Sequence, residues 1–157
     1  MLNTTKKRRI AIAVIGGKSV DKILEIEAQE VGRLLAERGA IIVCGGLSGV
    51  MEAVSRGAKM AGGLTIGILP EDHKRHANDY IDVPIVTGLG IGRNVIIART
   101  ADALIAVGGE YGTLSEIAFG LQMNKPVVGI RTWEIGGVVP AENASDAVKK
   151  VFEFLEA

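Results

Sequence analysis

Six short runs rich in β-branched residues punctuate the chain: Ile10–Ile15, Ala40–Cys44, Leu64–Leu69, Ile81–Val86, Ala103–Val107 and Val127–Ile130. Each is nearly continuous in apolarity rather than alternating, as in strands buried on both faces. Helical periodicity fills the intervals. In DKILEIEAQEVGRLLAERG, Ile23, Ile26, Val31, Leu34 and Leu35 fall near one predicted face, and Gly39 stands where the helix should stop. Val50–Ala61, Gly92–Ala101, Leu114–Met123 and Asp146–Leu155 follow the same period, while RTWEIGGVVPAENAS reads as a long connection before the last helix.

Strands alternating with helices across short joints predict an α/β fold: a three-layer, doubly wound, mostly parallel sheet with helices on both faces. At 157 residues the economical division is one domain, residues 1–157. Right-handed crossovers bring the carboxyl ends of the strands to one edge. That edge receives the loops GGKS, CGGLSG, TGLGIGRN and GGEYGT. Open sheets of this Rossmann-like kind bind ligands in the crevice outside those ends.

Composition narrows the partners. Formal charge is zero, so nothing favours nonspecific binding to nucleic acid or to an anionic membrane. No apolar run has the length needed to cross a bilayer. The start, KKRRIAIAVIGGKS, carries no small-x-small cleavage pattern and reads as a first strand rather than a signal peptide. The single Cys44 excludes an internal disulfide and suits a reducing cytoplasm. Glycine occurs 21 times, after apolar runs rather than in a low-complexity tract, which assigns it to turns.

Three common phosphate motifs are absent. GGKS is not a Walker loop, because the glycine required five residues before Gly17 is Ile12. No G-x-G-x-x-G follows the first strand, and the second strand ends Cys44-Gly45-Gly46 with no acidic residue to read a ribose. A less specialised anion site remains. In GGEYGTLSE, Gly109 and Gly112 let backbone N–H groups converge, and Thr113 adds a hydroxyl where a helix dipole favours negative charge. In GGLSGVMEA, Gly45, Gly46, Ser48 and Gly49 form a similar turn after the second strand, and Gly16 and Gly17 end the first.

Glu116 follows Thr113 by three residues, so both project from one side of the helix. It is either a solvated first-turn glutamate or a carboxylate held beside a phosphate and a sugar's anomeric carbon. Arg93 opens another helix, where a cation is electrostatically misplaced, which favours work in the cleft over a surface position. Arg93 and Glu116 are therefore the candidate catalytic pair. His73 and His76 form H-x-x-H, but Lys74 and Arg75 repel cations there, so no metal site is assigned. Tyr111 and Trp133 either stack on a base or pack.

With these loops assembled, the sequence resembles the LONELY GUY-type Rossmann proteins of the SLOG superfamily, over about Ala11 to Ile130. GGLSGVMEAVSRGAKMAGGLTIGILP is similar to that family's G-G-G-x-x-G-L-M-G segment and the following strand ending in Pro. GRNVIIARTADALIAVGGEYGTLSEIAFGLQMNKPVVGI is similar to its R-K … P-G-G-x-G-T-x-x-E segment. The IAVIGG start and GTLSE ending look most like the branch containing molybdenum-cofactor carrier proteins. The resemblance implies a phosphate or nucleotide-like ligand over Gly109, Gly112 and Thr113, with the Gly45–Gly49 turn completing the cleft. In the hydrolase members, Arg and Glu at the positions of Arg93 and Glu116 promote cleavage of a nucleoside monophosphate's N-glycosidic bond. Three positions depart from the hydrolase pattern: Gly108 replaces Pro, Glu110 replaces Gly, and Asn94 replaces Lys. An inward Glu110 about 4 Å from a phosphate charge would cost on the order of 4 kcal/mol at an effective dielectric of about 20.

The expectation is a cytoplasmic binder of a phosphorylated, nucleotide-like small molecule, in the manner of a pterin-cofactor carrier, which requires no resident cofactor and takes a nucleotide or molybdopterin-type ligand. The rival is a nucleoside 5′-monophosphate phosphoribohydrolase; a third reading is a structural subunit without ligand. The resemblance also implies a homodimer or higher homo-oligomer, with Val50–Ala61 and Gly92–Ala101 as candidate surfaces.

Overall fold

The computed structural model describes residues 6–157. Seven strands, β1 Ala11–Gly16, β2 Ile41–Cys44, β3 Leu64–Leu69, β4 Val83–Val86, β5 Ala103–Val107, β6 Val127–Ile130 and β7 Val138–Pro140, form one sheet in the order β4-β3-β2-β1-β5-β6-β7. Every pairing is parallel. The chain winds outward from β1 through β2 to β4, crosses back to β5 beside β1, and winds outward the other way. Loops leaving β1 and β5 therefore diverge, and the crevice between them is where such a sheet can admit a ligand.

Alternate residues of β1 divide the core. Ile12 and Val14 pack with helices α1 (Lys22–Glu37), α2 (Val50–Met60) and α5 (Ala144–Glu156). Ala13 and Ile15 face α3 (Asn94–Thr100) and α4 (Tyr111–Gln122). The three-layer, doubly wound α/β fold expected of the sequence is thus present, with a wholly parallel sheet.

Three local readings need correction. The buried stripe of α1 is Leu24, Ala28, Val31, Gly32 and Leu35, while Ile23 and Ile26 are exposed. Close approach to α2 sets this phase: a Cβ on Gly32 would lie 2.0 Å from the Val54 carbonyl oxygen. β4 begins at Val83 and is mostly exposed, as befits an edge strand containing Pro84. The long connection contains β7, which caps the opposite edge. Its three residues are too few to show a period.

Candidate ligand-binding site

Gly16, Gly17, Gly45, Arg93, Gly112, Thr113 and Glu116 meet around one cavity of about 280 Å³ at the β1/β5 crevice. Lys18, Ser19, Met51, Asn94 and Glu110 also line it. Gly46, Ser48, Gly49 and Gly109 lie outside this lining.

The two glycine turns that look alike in sequence play different parts. After β2, the turn is drawn onto the loop that follows β1. Val50 N donates to the Gly17 carbonyl at 3.0 Å, and Ser48 Oγ donates to the Lys18 carbonyl at 3.1 Å. Gly49, at φ +66°, allows this contact, since a Cβ there would sit 2.2 Å from the Gly17 oxygen. The first amide of α2 is therefore already satisfied within the protein.

The turn after β5 is open. α4 starts at Tyr111, ahead of the predicted Leu114, with Glu110 as its N-cap and no side-chain cap bond. Leu114 N donates to the Glu110 carbonyl at 2.9 Å. Among the described residues, no protein acceptor takes the N–H groups of Tyr111, Gly112 or Thr113. Gly112 and Thr113 line the cavity, so the positive end of a helix dipole, with its unpaired donors, borders it. Thr113 is held close to Gly109, where a Cβ would fall 2.3 Å from its Oγ1.

Arg93 is carried by a 3₁₀ turn, Gly90–Arg93, ahead of α3. Its Nε donates to the Ile68 carbonyl at 2.9 Å, and Nη1 donates to Asn94 Oδ1. Asn94 Nδ2 donates in turn to Ser115 Oγ on α4 at 3.0 Å. Gly45 makes room for the rest of the guanidinium: a Cβ there would lie 2.7 Å from Nη2. Asn94, whose importance a bare residue type does not disclose, thus orients the arginine and ties α3 to α4.

Glu116 is 7% exposed and Arg93 8% exposed. Burial pushes the Glu116 carboxyl up to about 8, and the Arg93 charge only partly opposes this. Burial also pulls the Arg93 guanidinium down, against the acidic groups Glu116, Cys44 and Glu71. The Cys44 thiol is fully buried and pushed up by burial, which makes it a poor nucleophile. A carboxyl raised to about 8 favours its neutral form near neutral pH, so the cleft combines an uncharged acid with the Arg93 cation and, in its lining, Lys18.

The departures from the hydrolase pattern have structural content. Gly108 sits at φ +56°, a conformation closed to proline. Glu110 is exposed at the cavity's rim, with its carbonyl accepting from Trp133 Nε1 at 3.1 Å. His73 and His76 are both exposed, and no group of three metal-ligating side chains occurs among the described residues. No helix among the described residues is long and apolar enough to cross a membrane.

A parallel sheet with its cleft at the point where strand order reverses is the architecture of a Rossmann-like ligand-binding protein. The chain belongs to the SLOG cluster4 family, whose profile matches residues 9–154. It is similar in structure to the molybdenum cofactor binding protein from the phototrophic bacterium Rippkaea orientalis, with 34% identity and a TM-score of 0.90, covering 94% of this chain and 98% of that one. The molybdenum cofactor carrier protein of Chlamydomonas reinhardtii matches at 36% identity and a TM-score of 0.86, over 95% and 100% of the two chains. A cytokinin riboside 5′-monophosphate phosphoribohydrolase of Mycobacterium tuberculosis is 31% identical over 133 residues, 79% of this chain and 71% of that protein.

Proposed function

We propose that this protein binds a phosphorylated, nucleotide-like small molecule and serves as a carrier of a pterin-type ligand akin to the molybdenum cofactor. The observation that carries this reading is the set of unpaired amides at the start of α4, opening into the Arg93 cleft. Preorganised donors, a dipole and a guanidinium suit a phosphate group without any catalytic step. The names of the two solved relatives support the same ligand class. The ligand is cargo, so no resident cofactor enters the reading.

A second reading, hydrolysis of a nucleoside 5′-monophosphate to base and ribose 5-phosphate, is favoured by the meeting of Arg93 and Glu116 in one cavity. The carboxylate would stabilise an oxocarbenium-like sugar or position water while Arg93 held the ligand. It ranks second because burial favours the neutral form of Glu116, and because Asn94 supplies no counter-charge where the hydrolase pattern has a lysine.

Self-association is part of the proposal. The apolar side of α2 is consumed by internal packing, but Val86, Leu89 and Ile91 are exposed on β4 and the turn leading to Arg93, with Ile91 at 87%. We assign this patch, beside the cleft, to a homodimer contact.

The test combines three measurements. Native mass spectrometry of freshly purified protein should show a co-purifying phosphorylated ligand. AMP, GMP or ribose 5-phosphate should raise the melting temperature, the stabilisation reaching about 2.7 kcal/mol at roughly 100 times Kd. Base release from AMP that disappears in Glu116→Ala would select the hydrolase instead. No melting shift with any of these ligands, and none co-purifying, would leave only a structural subunit.

A further inference from the structure

A second cavity, about 380 Å³, opens beside the first, built by the connection from β6 to β7. Gly129, Thr132, Trp133, Glu134 and Ile135 line it, together with Arg131. No residue lines both cavities, but hydrogen bonds tie the loop of the second to the turn before α4. Trp133 Nε1 donates to the carbonyl of Glu110, which lines the first cavity, and Thr132 Oγ1 donates to the Gly108 carbonyl at 2.6 Å. Tyr111, from the first turn of α4, lies with its ring centroid 6.0 Å from that of Trp133, tilted by 33°. Tyr111 is 80% exposed and lies outside both linings, while Trp133 is half-buried and lines the second cavity.

Arg131 marks the junction. It is one of two non-glycine residues at positive φ among the described residues, at +46°, in a region that side chains rarely adopt. That turn follows β6 directly, and the Arg131 side chain pairs with Asp21, the N-cap of α1, at 3.3 Å. Backbone strain of this kind is retained where the surrounding structure holds it in place, and it gathers at binding sites. Here it redirects the chain so that Trp133 reaches the Glu110 carbonyl.

We propose that the second cavity takes the ring system of the same ligand whose phosphate the α4 cleft holds: a fused, nitrogen-rich heterocycle of the purine or pterin class, stacked on Trp133, with Tyr111 extending the aromatic surface from outside the lining. The inference rests on the phosphate reading of that cleft. Flat aromatic surface suits a ring rather than an alkyl chain. Arg131 and Glu134 at the cavity's edge supply a donor and an acceptor for the polar rim of such a ring. A cavity of this size lies within the range used for small-molecule sites.

The chain has one tryptophan, so indole fluorescence reports on this cavity alone. GMP, whose base carries the 2-amino-4-oxopyrimidine edge also found in pterins, and AMP should each quench it saturably. Ribose 5-phosphate should raise the melting temperature without quenching. Trp133→Leu, and Tyr111→Ala at an exposed side chain that leaves the core intact, should each weaken GMP about tenfold while moving ribose 5-phosphate less than about twofold. GMP binding with unchanged fluorescence, or equal losses for GMP and ribose 5-phosphate in both variants, would overturn the subsite and leave the cleft standing. Failure of all three probes to bind would overturn both. Tighter binding of GMP than of AMP, read from the midpoints of the two quenching curves, would assign the cavity to the amino-oxo edge, and the reverse to a plain purine.

Discussion

Glu116 and Arg93 occupy the same cleft, and burial moves the affinity of each for its proton towards the neutral form. The stronger influence on Glu116 is loss of water, with the arginine's charge second. A carboxyl in this state does not repel a phosphate. On the proposed reading, an uncharged Glu116 lets the cleft take an anion, and the cleft should lose that property when the acid ionises.

Affinity for ribose 5-phosphate is accordingly expected to fall as pH rises through about 8, where Glu116 gives up its proton. The phosphate is already dianionic above about pH 7, so the slope there belongs to the protein. The decline should steepen towards about tenfold per pH unit. In Glu116→Gln, which cannot ionise, the profile should be flat. Calorimetric titrations across this range decide the matter: a wild-type curve superimposable on that of the glutamine variant would remove Glu116 from ligand control.

Stability should follow the same group. The folded-state value, about 8, lies above the unfolded value of 4.5. The neutral acid's advantage is thus complete below about 4.5, shrinks as pH climbs, and is gone above about 8. Glu116→Gln keeps that advantage at every pH. Urea unfolding should show the variant matching the wild type near about pH 4 and exceeding it near about pH 9 by a few kcal/mol, since each tenfold difference in proton affinity between the folded and unfolded chain is worth roughly 1.4 kcal/mol. Parallel curves for the two proteins would contradict the buried, neutral assignment.

Some of this was legible in the chain and some was not. Runs such as Ala103–Val107 announce themselves because both of their faces are buried and nothing polar interrupts them. β7 does not, since Val138–Pro140 is shorter than any period and ends in proline. On α1 the larger isoleucines were misleading: Gly32 fixes the buried face, and only the helix opposite reveals that glycine as a contact. The cleft shows the same limit. Arg93, Glu116, Gly112 and Thr113 could be nominated from residue type and spacing. Yet GGLSG and GGEYG look alike as strings, and only the partners of their amides separate a turn clasping Gly17 from one left open. Asn94 showed in the sequence only as a departure from the hydrolase pattern, and Lys18 not at all; their places in the lining come from the fold.

Contact between α1 and α2 depends on two glycines. A Cβ on Gly57 would lie 1.8 Å from the Gln29 carbonyl oxygen, a backbone atom that cannot swing aside. Gly57→Ala should therefore destabilise the protein by roughly 1–3 kcal/mol through overpacking. That loss opposes a gain of about 1 kcal/mol in helix propensity. A melting temperature above that of the wild type, by the full gain in helix propensity, would mean that the helices part without cost.

Gly45 offers a contrasting case. An added Cβ would meet Met51 Sδ at 2.6 Å and Arg93 Nη2 at 2.7 Å, side-chain atoms rather than backbone. Gly45→Ala should leave the fold in place and displace the guanidinium from its seat over the cleft. Losing one charged hydrogen bond to a phosphate corresponds to an affinity loss of about tenfold or more. The loss should appear for ribose 5-phosphate and GMP alike, because it falls on the group they share. Chemical denaturation separates the alternatives: a variant as stable as the parent that binds both ligands at full strength would show that Arg93 does not hold the anion. Only the unpaired amides of α4 would then remain to do so.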